Sequence, residues 1–263
     1  MAAVTIPACS QEGGGRTVVA SFYPLAYAAR RVAGPGWEVL DLTPPGTEAH
    51  DVELSLEDRA AIEDADLVVY LGDIGFQPQV EEAVEDARGK VLDGSNFVAA
   101  DARSDPHIWL VPANMARIAE AISSRIPGSS PRAVQRDLFD LQDRYVRGLE
   151  RCRFQVAIVS HEAFGYMAAD FGFRQFGLAG IVPEGEPTAE RLAEAERLIE
   201  EGKAGAVFYE ARSDSQRVAE SLASDTGVPA IPLSTLESEP VSGDYLTVMR
   251  DNLDSLREGL GCR

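Results

Sequence analysis

Residues 126–149 read Ile-Pro-Gly-Ser-Ser-Pro-Arg-Ala-Val-Gln-Arg-Asp-Leu-Phe-Asp-Leu-Gln-Asp-Arg-Tyr-Val-Arg-Gly-Leu, and this stretch decides the fold. Its first six residues interrupt the preceding pattern, and Pro131 suits the first turn of a new helix. Apolar residues then recur at helical spacing, at Val134, Leu138, Leu141, Tyr145 and Leu149. One long helix in the middle of the chain predicts a stiff connector between two separate lobes.

The segments on either side of this helix alternate short apolar runs with amphipathic stretches, which is typical of βαβ units with parallel sheets. Before the connector we expect strands at 17–22, 38–42, 67–71 and 91–92, and helices at 25–32 and 55–64. After it we expect strands at 155–160 and 206–209, and helices at 163–170, 192–202, 218–223 and 246–260. The fold class predicted is therefore α/β, with two lobes of mainly parallel sheets and flanking helices joined by one long rigid helix.

The corresponding division of the chain has four parts. We predict a leader at 1–15, an N-terminal lobe at 16–128, the linker helix at 129–150 and a C-terminal lobe at 151–263. The 263 residues carry 43 acidic and 24 basic side chains, a formal net charge of −19, which disfavours nucleic-acid binding. No apolar run is long enough to predict a membrane span.

The chain contains only three histidines, His50, His107 and His161, and each lies where a predicted strand gives way to a loop. Ligands of open α/β sheets bind at the carboxyl ends of strands. Neutral imidazoles together with a carboxylate suit zinc. The residues alone leave another interpretation open, in which each histidine is a hydrogen-bonded structural residue. Asp244 follows Gly243 before a predicted helix, so it suits an N-cap as well as a metal ligand.

Four segments, in this order, carry a resemblance to a known family. They are Pro45-Gly46 with His50-Asp51, Asp105-Pro106-His107-Ile108-Trp109-Leu110, Ser160-His161-Glu162-Ala163-Phe164-Gly165-Tyr166, and Gly243-Asp244-Tyr245-Leu246 with Met249 and Asn252-Leu253. Together with Ala65-Asp66-Leu67-Val68-Val69-Tyr70, they resemble the zinc- and manganese-type solute-binding proteins of bacterial ABC importers, in the zinc-uptake branch. The resemblance runs from Thr17 to Leu260.

This resemblance implies two α/β lobes joined by a rigid helix, with the metal held between the lobes. Carried onto this chain, the metal ligands are His50 and His107 from the N-terminal lobe and His161 and Asp244 from the C-terminal lobe. Manganese-selecting members typically have a carboxylate where this chain has His161, so a third imidazole favours zinc. Glu48 is the alternative fourth ligand, water being another.

The same resemblance implies the function. We expect an extracytoplasmic, non-enzymatic protein that captures Zn²⁺ between its lobes and delivers it to an ABC importer permease. A protein of the same family that carries manganese or another divalent metal is the alternative. The expected partners are the cognate membrane permease and a metallochaperone, and we expect a monomer. Zinc members often carry a histidine-rich loop before the Asp-Pro-His segment, whereas residues 96–104 here contain no histidine.

The three cysteines suggest an exported protein. Ile6-Pro7-Ala8-Cys9 resembles the end of a bacterial lipoprotein signal, which predicts lipidation at Cys9 and a native start upstream of Met1. The alternative is a disordered leader with an incidental cysteine. Export would favour a disulfide between Cys152 and Cys262, although two separate buried thiols are the other interpretation.

Two further classes of function compete with zinc delivery. A zinc-dependent hydrolase would use Glu162 or Glu210 as general base, but His161-Glu162 is followed by Gly165 where a metalloprotease would have its second histidine. Glu210, at the end of a predicted strand, lines the predicted cleft or simply begins the next helix. A surface adhesin is the second competing class.

Overall fold

The structure, a computed structural model, describes residues 16–97, 105–181, 187–211 and 215–263. Within these residues, all strand pairings are parallel and form two four-stranded sheets. The first has the order β2-β1-β3-β4 and consists of β1 (Arg16–Ala20), β2 (Trp37–Asp41), β3 (Leu67–Tyr70) and β4 (Lys90–Asp93). The second has the order β6-β5-β7-β8 and consists of β5 (Val156–Val159), β6 (Arg174–Gly177), β7 (Val207–Tyr209) and β8 (Ala230–Pro232).

Helices cover the sheets and link them. The helices of the first half are α1 (Tyr23–Val32), α2 (Leu56–Asp64), α3 (Pro78–Val84) and α4 (Pro112–Arg125). The connector is α5 (Arg132–Leu149). Those of the second half are α6 (Gly165–Phe171), α7 (Ala189–Glu200), α8 (Ser215–Thr226) and α9 (Tyr245–Gly259). This arrangement confirms the predicted α/β class with two parallel sheets and a long connecting helix.

The connector α5 packs because its apolar residues fall on one face. The five positions predicted from the spacing are all buried, whereas most of the residues between them are exposed. One of them, Tyr145, donates its hydroxyl hydrogen to the backbone oxygen of Met249 in α9, at 2.6 Å. The connector also contacts α1 and α4 from the first half, so it belongs to both halves of the molecule.

The two halves share one continuous apolar core. It includes Val18 and Val69 from the first sheet and Ala157 and Phe208 from the second. The hydroxyl of Tyr245 at the start of α9 donates to the backbone oxygen of Trp109 in the first half, at 2.6 Å. Shared core packing of this kind resists movement of one half against the other.

Cys152 and Cys262 form a disulfide that ties the chain just after α5 to the chain just after α9. Cys9 and the predicted leader lie outside the described residues. Among the helices of the described part of the chain, none is both long enough and apolar enough to cross a membrane.

Candidate metal site

The candidate site lies where loops at the carboxyl ends of the two sheets meet. His50 sits on a single helical turn, Ala49–Asp51, in the loop after β2, and His161 lies two residues beyond the end of β5. His107 precedes the single turn Ile108–Leu110. A fourth group, Glu237, lies five residues beyond the end of β8. Because all strands within each sheet are parallel, their carboxyl ends share one edge, and this brings residues distant in sequence together.

Three of these residues form a buried cluster. His107, His161 and Glu237 each place a ligand atom within 4.8 Å of the others. His107, His161 and Glu237 are 2%, 1% and 5% exposed, respectively. His50 joins the cluster through its Nδ1 atom, which lies 3.0 Å from Oε2 of Glu237. The structure therefore brings together the three histidines singled out from the sequence.

His107 is oriented by Asp105. The Oδ1 atom of Asp105 accepts hydrogen bonds from the backbone N–H of His107 at 3.0 Å and from its ring Nδ1 at 2.8 Å. The other ring nitrogen, Nε2, then faces Oε1 of Glu237 at 3.6 Å. A carboxylate behind a histidine is the usual arrangement for a metal-ligating imidazole. Burial by itself lowers the pKa of His107, but Asp105 and Glu237 outweigh it and raise the pKa to about 9.

His161 has the least satisfied side chain of the site. Both of its ring nitrogens are buried without a hydrogen-bond partner among the described residues, and Nε2 lies 3.9 Å from Oε1 of Glu237. Burial and the positive charge of His107 lower its pKa to about 4, so the ring is neutral at pH 7. Buried polar groups nearly always have a partner, and a neutral imidazole beside a carboxylate is chemically suited to ligate a cation.

His50 lies at the outer side of the cluster and connects it to two further carboxylates. Its Nε2 atom lies 3.2 Å from Oε2 of Glu48 and 3.8 Å from Oδ1 of Asp51. Burial lowers the pKa of His50, but the hydrogen bond to Glu237 and the surrounding negative charge raise it overall. Burial raises the pKa of Glu48, and the charge of Glu237 adds to this effect.

Glu237 is the central carboxylate. Burial favours its neutral form, but the nearby imidazoles of His107 and His50 outweigh burial and lower its pKa to about 2. The residue before it, Leu236, has a φ of 58°, in the left-handed region that non-glycine residues rarely adopt. The side chain of Asn252 in α9 accepts a hydrogen bond from the backbone N–H of Ser234 at 2.9 Å and donates one to its backbone oxygen at 2.8 Å. The ionised carboxylate is thus presented by a constrained turn.

Asp244, which was predicted as the fourth ligand, lies at the start of α9. Its Oδ1 atom accepts hydrogen bonds from the backbone N–H and the hydroxyl of Thr247, both at 2.9 Å, so Asp244 is the N-cap of α9. It belongs to neither group of candidate metal ligands found in the described part of the chain. The carboxylate beside the histidines is instead Glu237, which the sequence analysis did not single out.

Glu48 and Glu210 lie on the wall of one cleft. A cleft of about 800 Å³ has Glu48, Glu210 and Glu237 among its lining residues. Glu210 follows β7, and its Oε1 atom accepts hydrogen bonds from the backbone N–H and the hydroxyl of Thr235. Burial, together with the charge of Glu237, raises the pKa of Glu210 to about 7. The cleft gives solvent access to the carboxylate side of the cluster.

Two parallel sheets that turn their carboxyl ends toward one buried set of imidazoles are the architecture of the metal-binding solute-binding proteins. Within that class, the model for the family described as zinc-uptake complex component A, periplasmic (ZnuA), matches residues 18–259. The chain therefore belongs to the ZnuA family.

Similar proteins support this placement. The zinc-binding protein AdcA of Streptococcus pyogenes is 30% identical over 284 residues, covering 91% of this chain and 55% of AdcA, so the chain spans about half the length of this curated relative. The Zn(II)-bound ZnuA-like domain of Streptococcus pneumoniae AdcA matches with a TM-score of 0.79 and 28% identity, covering 94% of this chain and 99% of that domain. The laminin-binding protein Lbp of Streptococcus pyogenes matches with a TM-score of 0.80 and 27% identity, covering 94% and 100%.

Proposed function

We propose that this chain binds one Zn²⁺ ion through His50, His107, His161 and Glu237 and delivers it to an ABC importer permease. The observation that carries the proposal is His161, whose two buried ring nitrogens have no partner among the described residues although Glu237 and His107 lie beside it. A cation between these groups would satisfy the imidazole and offset the buried carboxylate. Family membership supports the same conclusion.

The donor set favours zinc over manganese. Three imidazoles and one carboxylate can complete the four-coordinate shell that zinc prefers, whereas manganese prefers oxygen ligands in larger number. The buried group contains one carboxylate, Glu237, and the carboxylate of Asp105 is engaged behind His107. The zinc-bound state of the similar AdcA domain supports this choice of metal.

The proposed test is metal analysis of chelator-stripped protein after equilibration with equal Zn²⁺ and Mn²⁺. We expect one zinc per chain in the wild type and in Asp244→Asn, whose carboxylate lies outside the cluster, and loss of zinc in His161→Ala. Preferential uptake of manganese would overturn the choice of metal. Equal zinc in His161→Ala and the wild type would overturn the site.

We further propose that delivery takes place outside the cytoplasm, by a monomer, with Cys9 as a lipid anchor. The family description as periplasmic supports the location. Export of the full-length protein with Cys9 or with Cys9→Ser, followed by separation of membrane and soluble fractions, tests the anchor. Release of the variant into the soluble fraction is the expected result, and equal retention of both proteins would exclude anchoring at Cys9.

The site supports binding rather than catalysis. Glu162, one of the two general bases considered for a hydrolase, forms an ion pair with Arg191 at 2.9 Å. Glu210, the other, accepts two hydrogen bonds from Thr235. Both carboxylates therefore have structural partners, and neither is grouped with the buried metal-ligating cluster. A zinc-dependent hydrolysis rate that disappears in Glu162→Gln or Glu210→Gln would contradict a non-enzymatic role.

Surface adhesion is a second candidate function, favoured by the similarity to the laminin-binding protein Lbp. Surface plasmon resonance against immobilised laminin tests it with zinc-loaded and zinc-free protein. Saturable binding would add adhesion to the proposed function, and no binding at micromolar protein would remove it.

A further inference from the structure

Thr235, two residues before Glu237, has every polar group engaged. Its backbone N–H and its hydroxyl both donate to Oε1 of Glu210, and its backbone oxygen accepts a hydrogen bond from Nε1 of Trp109 at 2.6 Å. The residue is 2% exposed, so water does not replace these partners easily. The position of Thr235 is therefore fixed from two sides.

The two partners of Thr235 come from different halves of the molecule. Glu210 follows β7, whose neighbour in the sheet is β8, and the backbone N–H of Leu233 donates to the oxygen of Tyr209 at 2.8 Å. The backbone of Glu210 therefore lies next to the segment after β8 that contains Thr235. Trp109 lies two residues after His107, in the first half of the chain. Thr235 consequently links the loop of one proposed zinc ligand to the loop of another.

The turn between Thr235 and Glu237 needs such support. Leu236 lies in the left-handed region, which non-glycine residues occupy only where the surroundings hold them there. Its backbone N–H donates to the hydroxyl of Ser234 at 3.1 Å, a local contact within the turn itself. The side chains of Glu210, Trp109 and Asn252 hold this turn from outside.

We propose that Glu210 is a positioning residue, which fixes Glu237 through Thr235 and so sets the zinc affinity of the site. The proposal rests on the zinc-binding function proposed above. Without the Glu210 carboxylate, the N–H and hydroxyl of Thr235 are left buried without their acceptor, and the turn at Leu236 relaxes. Glu237 then occupies several conformations, and zinc binding has to restrict them at an entropic cost.

Glu210 acts at one remove from the metal. Its Oε1 atom is occupied by two donors from Thr235, and Glu210 is not part of the buried group formed by His107, His161 and Glu237. Removal of a carboxylate that orients a metal ligand typically weakens metal binding by about 10- to 100-fold. We expect this range for Glu210→Ala.

A competition titration with a zinc chelator, on the full chain, separates positioning from charge. Glu210→Gln keeps an oxygen that accepts both hydrogen bonds, so its affinity should stay within about threefold of the wild type, while Glu210→Ala loses about 10- to 100-fold. Thr235→Val removes only the hydroxyl and should lose less than Glu210→Ala. Glu239→Ala is the matched control, because Glu239 is an acidic residue of the same cleft.

A second readout detects the position of Glu237 directly. Cobalt(II) substitution should give the intense visible absorption of four-coordinate cobalt in the wild type and in Glu210→Gln, and a weaker, shifted spectrum in Glu210→Ala. Hydrogen exchange at the Thr235 amide of the metal-free protein should be faster in Glu210→Ala. Melting curves of the metal-free variants show whether each one folds. If Glu210→Ala does not fold, the zinc affinities of Glu210→Gln and Thr235→Val test the proposal instead.

The outcomes distinguish this proposal from the function on which it rests. Unchanged affinity in Glu210→Ala, or equal losses in Glu210→Gln and Glu210→Ala, would overturn the positioning role. A loss in Glu239→Ala as large as that in Glu210→Ala would show that only the charge of the cleft matters. Retention of zinc by His161→Ala would instead overturn the zinc site itself.

Discussion

Zinc binding at pH 7 should release at least one proton from the protein, because His107 carries one before the metal arrives. Asp105 and Glu237 raise the pKa of His107 to about 9, so this ring is almost fully protonated at pH 7. A ligating imidazole has to lose that proton. His161 contributes none, because its pKa of about 4 leaves it neutral, and the raised pKa of His50 adds a fraction of a second proton.

The size of the effect follows from the same pKa of about 9 for His107. At pH 7, two units below this pKa, competition by the proton weakens the apparent zinc affinity about 100-fold relative to the deprotonated ring, or by about 2.7 kcal/mol. The affinity should therefore fall steadily from pH 9 downward. Ordinary imidazoles would instead give a decline that begins near pH 6.5.

Isothermal titration calorimetry in buffers of different ionisation enthalpy, all at pH 7, measures the number of protons released. The expected value is between one and two per zinc. Asp105→Asn removes the carboxylate closest to His107, so this variant should release fewer protons at the same pH. Release of less than about 0.3 proton by the wild type would show that His107 is neutral before zinc binds.

Three further predictions concern residues around the site and the frame that holds it. Asp244→Ala removes the N-cap of α9 and should lower the free energy of unfolding by about 1 kcal/mol in a urea titration, with unchanged zinc affinity; a loss of zinc would restore Asp244 as a ligand. Asp41→Asn should raise the free energy of unfolding by up to about 3 kcal/mol at pH 7.5 and by almost nothing at pH 3, and equal effects at both pH values would contradict this. Burial raises the pKa of Asp41 from 3.8 to about 6, so its carboxylate destabilises the native state increasingly as the pH rises between these two values. The double variant Cys152→Ser/Cys262→Ser opens a 110-residue loop and should lose about 4 to 5 kcal/mol, which is roughly 10 °C in melting temperature; an unchanged melting temperature would argue against stabilisation by the disulfide.

The parts of the fold with a strong local signal could be predicted from the sequence. The spacing of Val134, Leu138, Leu141, Tyr145 and Leu149 is long and regular, and α5 buries these five residues. The helix predicted at 55–64 is likewise observed as α2, which begins with a capping box formed by Ser55 and Asp58. In both cases the interactions that decide the structure lie within the segment itself.

Elements with a weak local signal were missed. The strand β6 reads Arg-Gln-Phe-Gly and is only partly buried at the edge of its sheet, so it lacks the continuous apolar run of a central strand. The strand β8 is three residues long and ends in Pro232. The helices α3 and α4 both begin with a proline, a start signal that the sequence analysis left unused.

Glu237 was not predicted as a site residue because β8 was missed. Once the apolar run at 228–233 is taken as a strand, Glu237 stands just beyond its carboxyl end, in the same kind of position as His161 after β5. The sequence around Asp244 was compatible with both an N-cap and a metal ligand, and its place directly before a helix favoured the N-cap. The pKa values of the histidines depend on burial by distant segments, which local sequence does not reveal.

A crystal structure of the zinc-loaded protein, with anomalous diffraction recorded on both sides of the zinc absorption edge, tests the proposed site most directly. We predict one anomalous peak per chain, about 2.0–2.2 Å from one nitrogen each of His50, His107 and His161 and from a carboxylate oxygen of Glu237. A peak coordinated by Asp244, or one held only by Glu48 and Asp51 at the surface, would contradict the site described here.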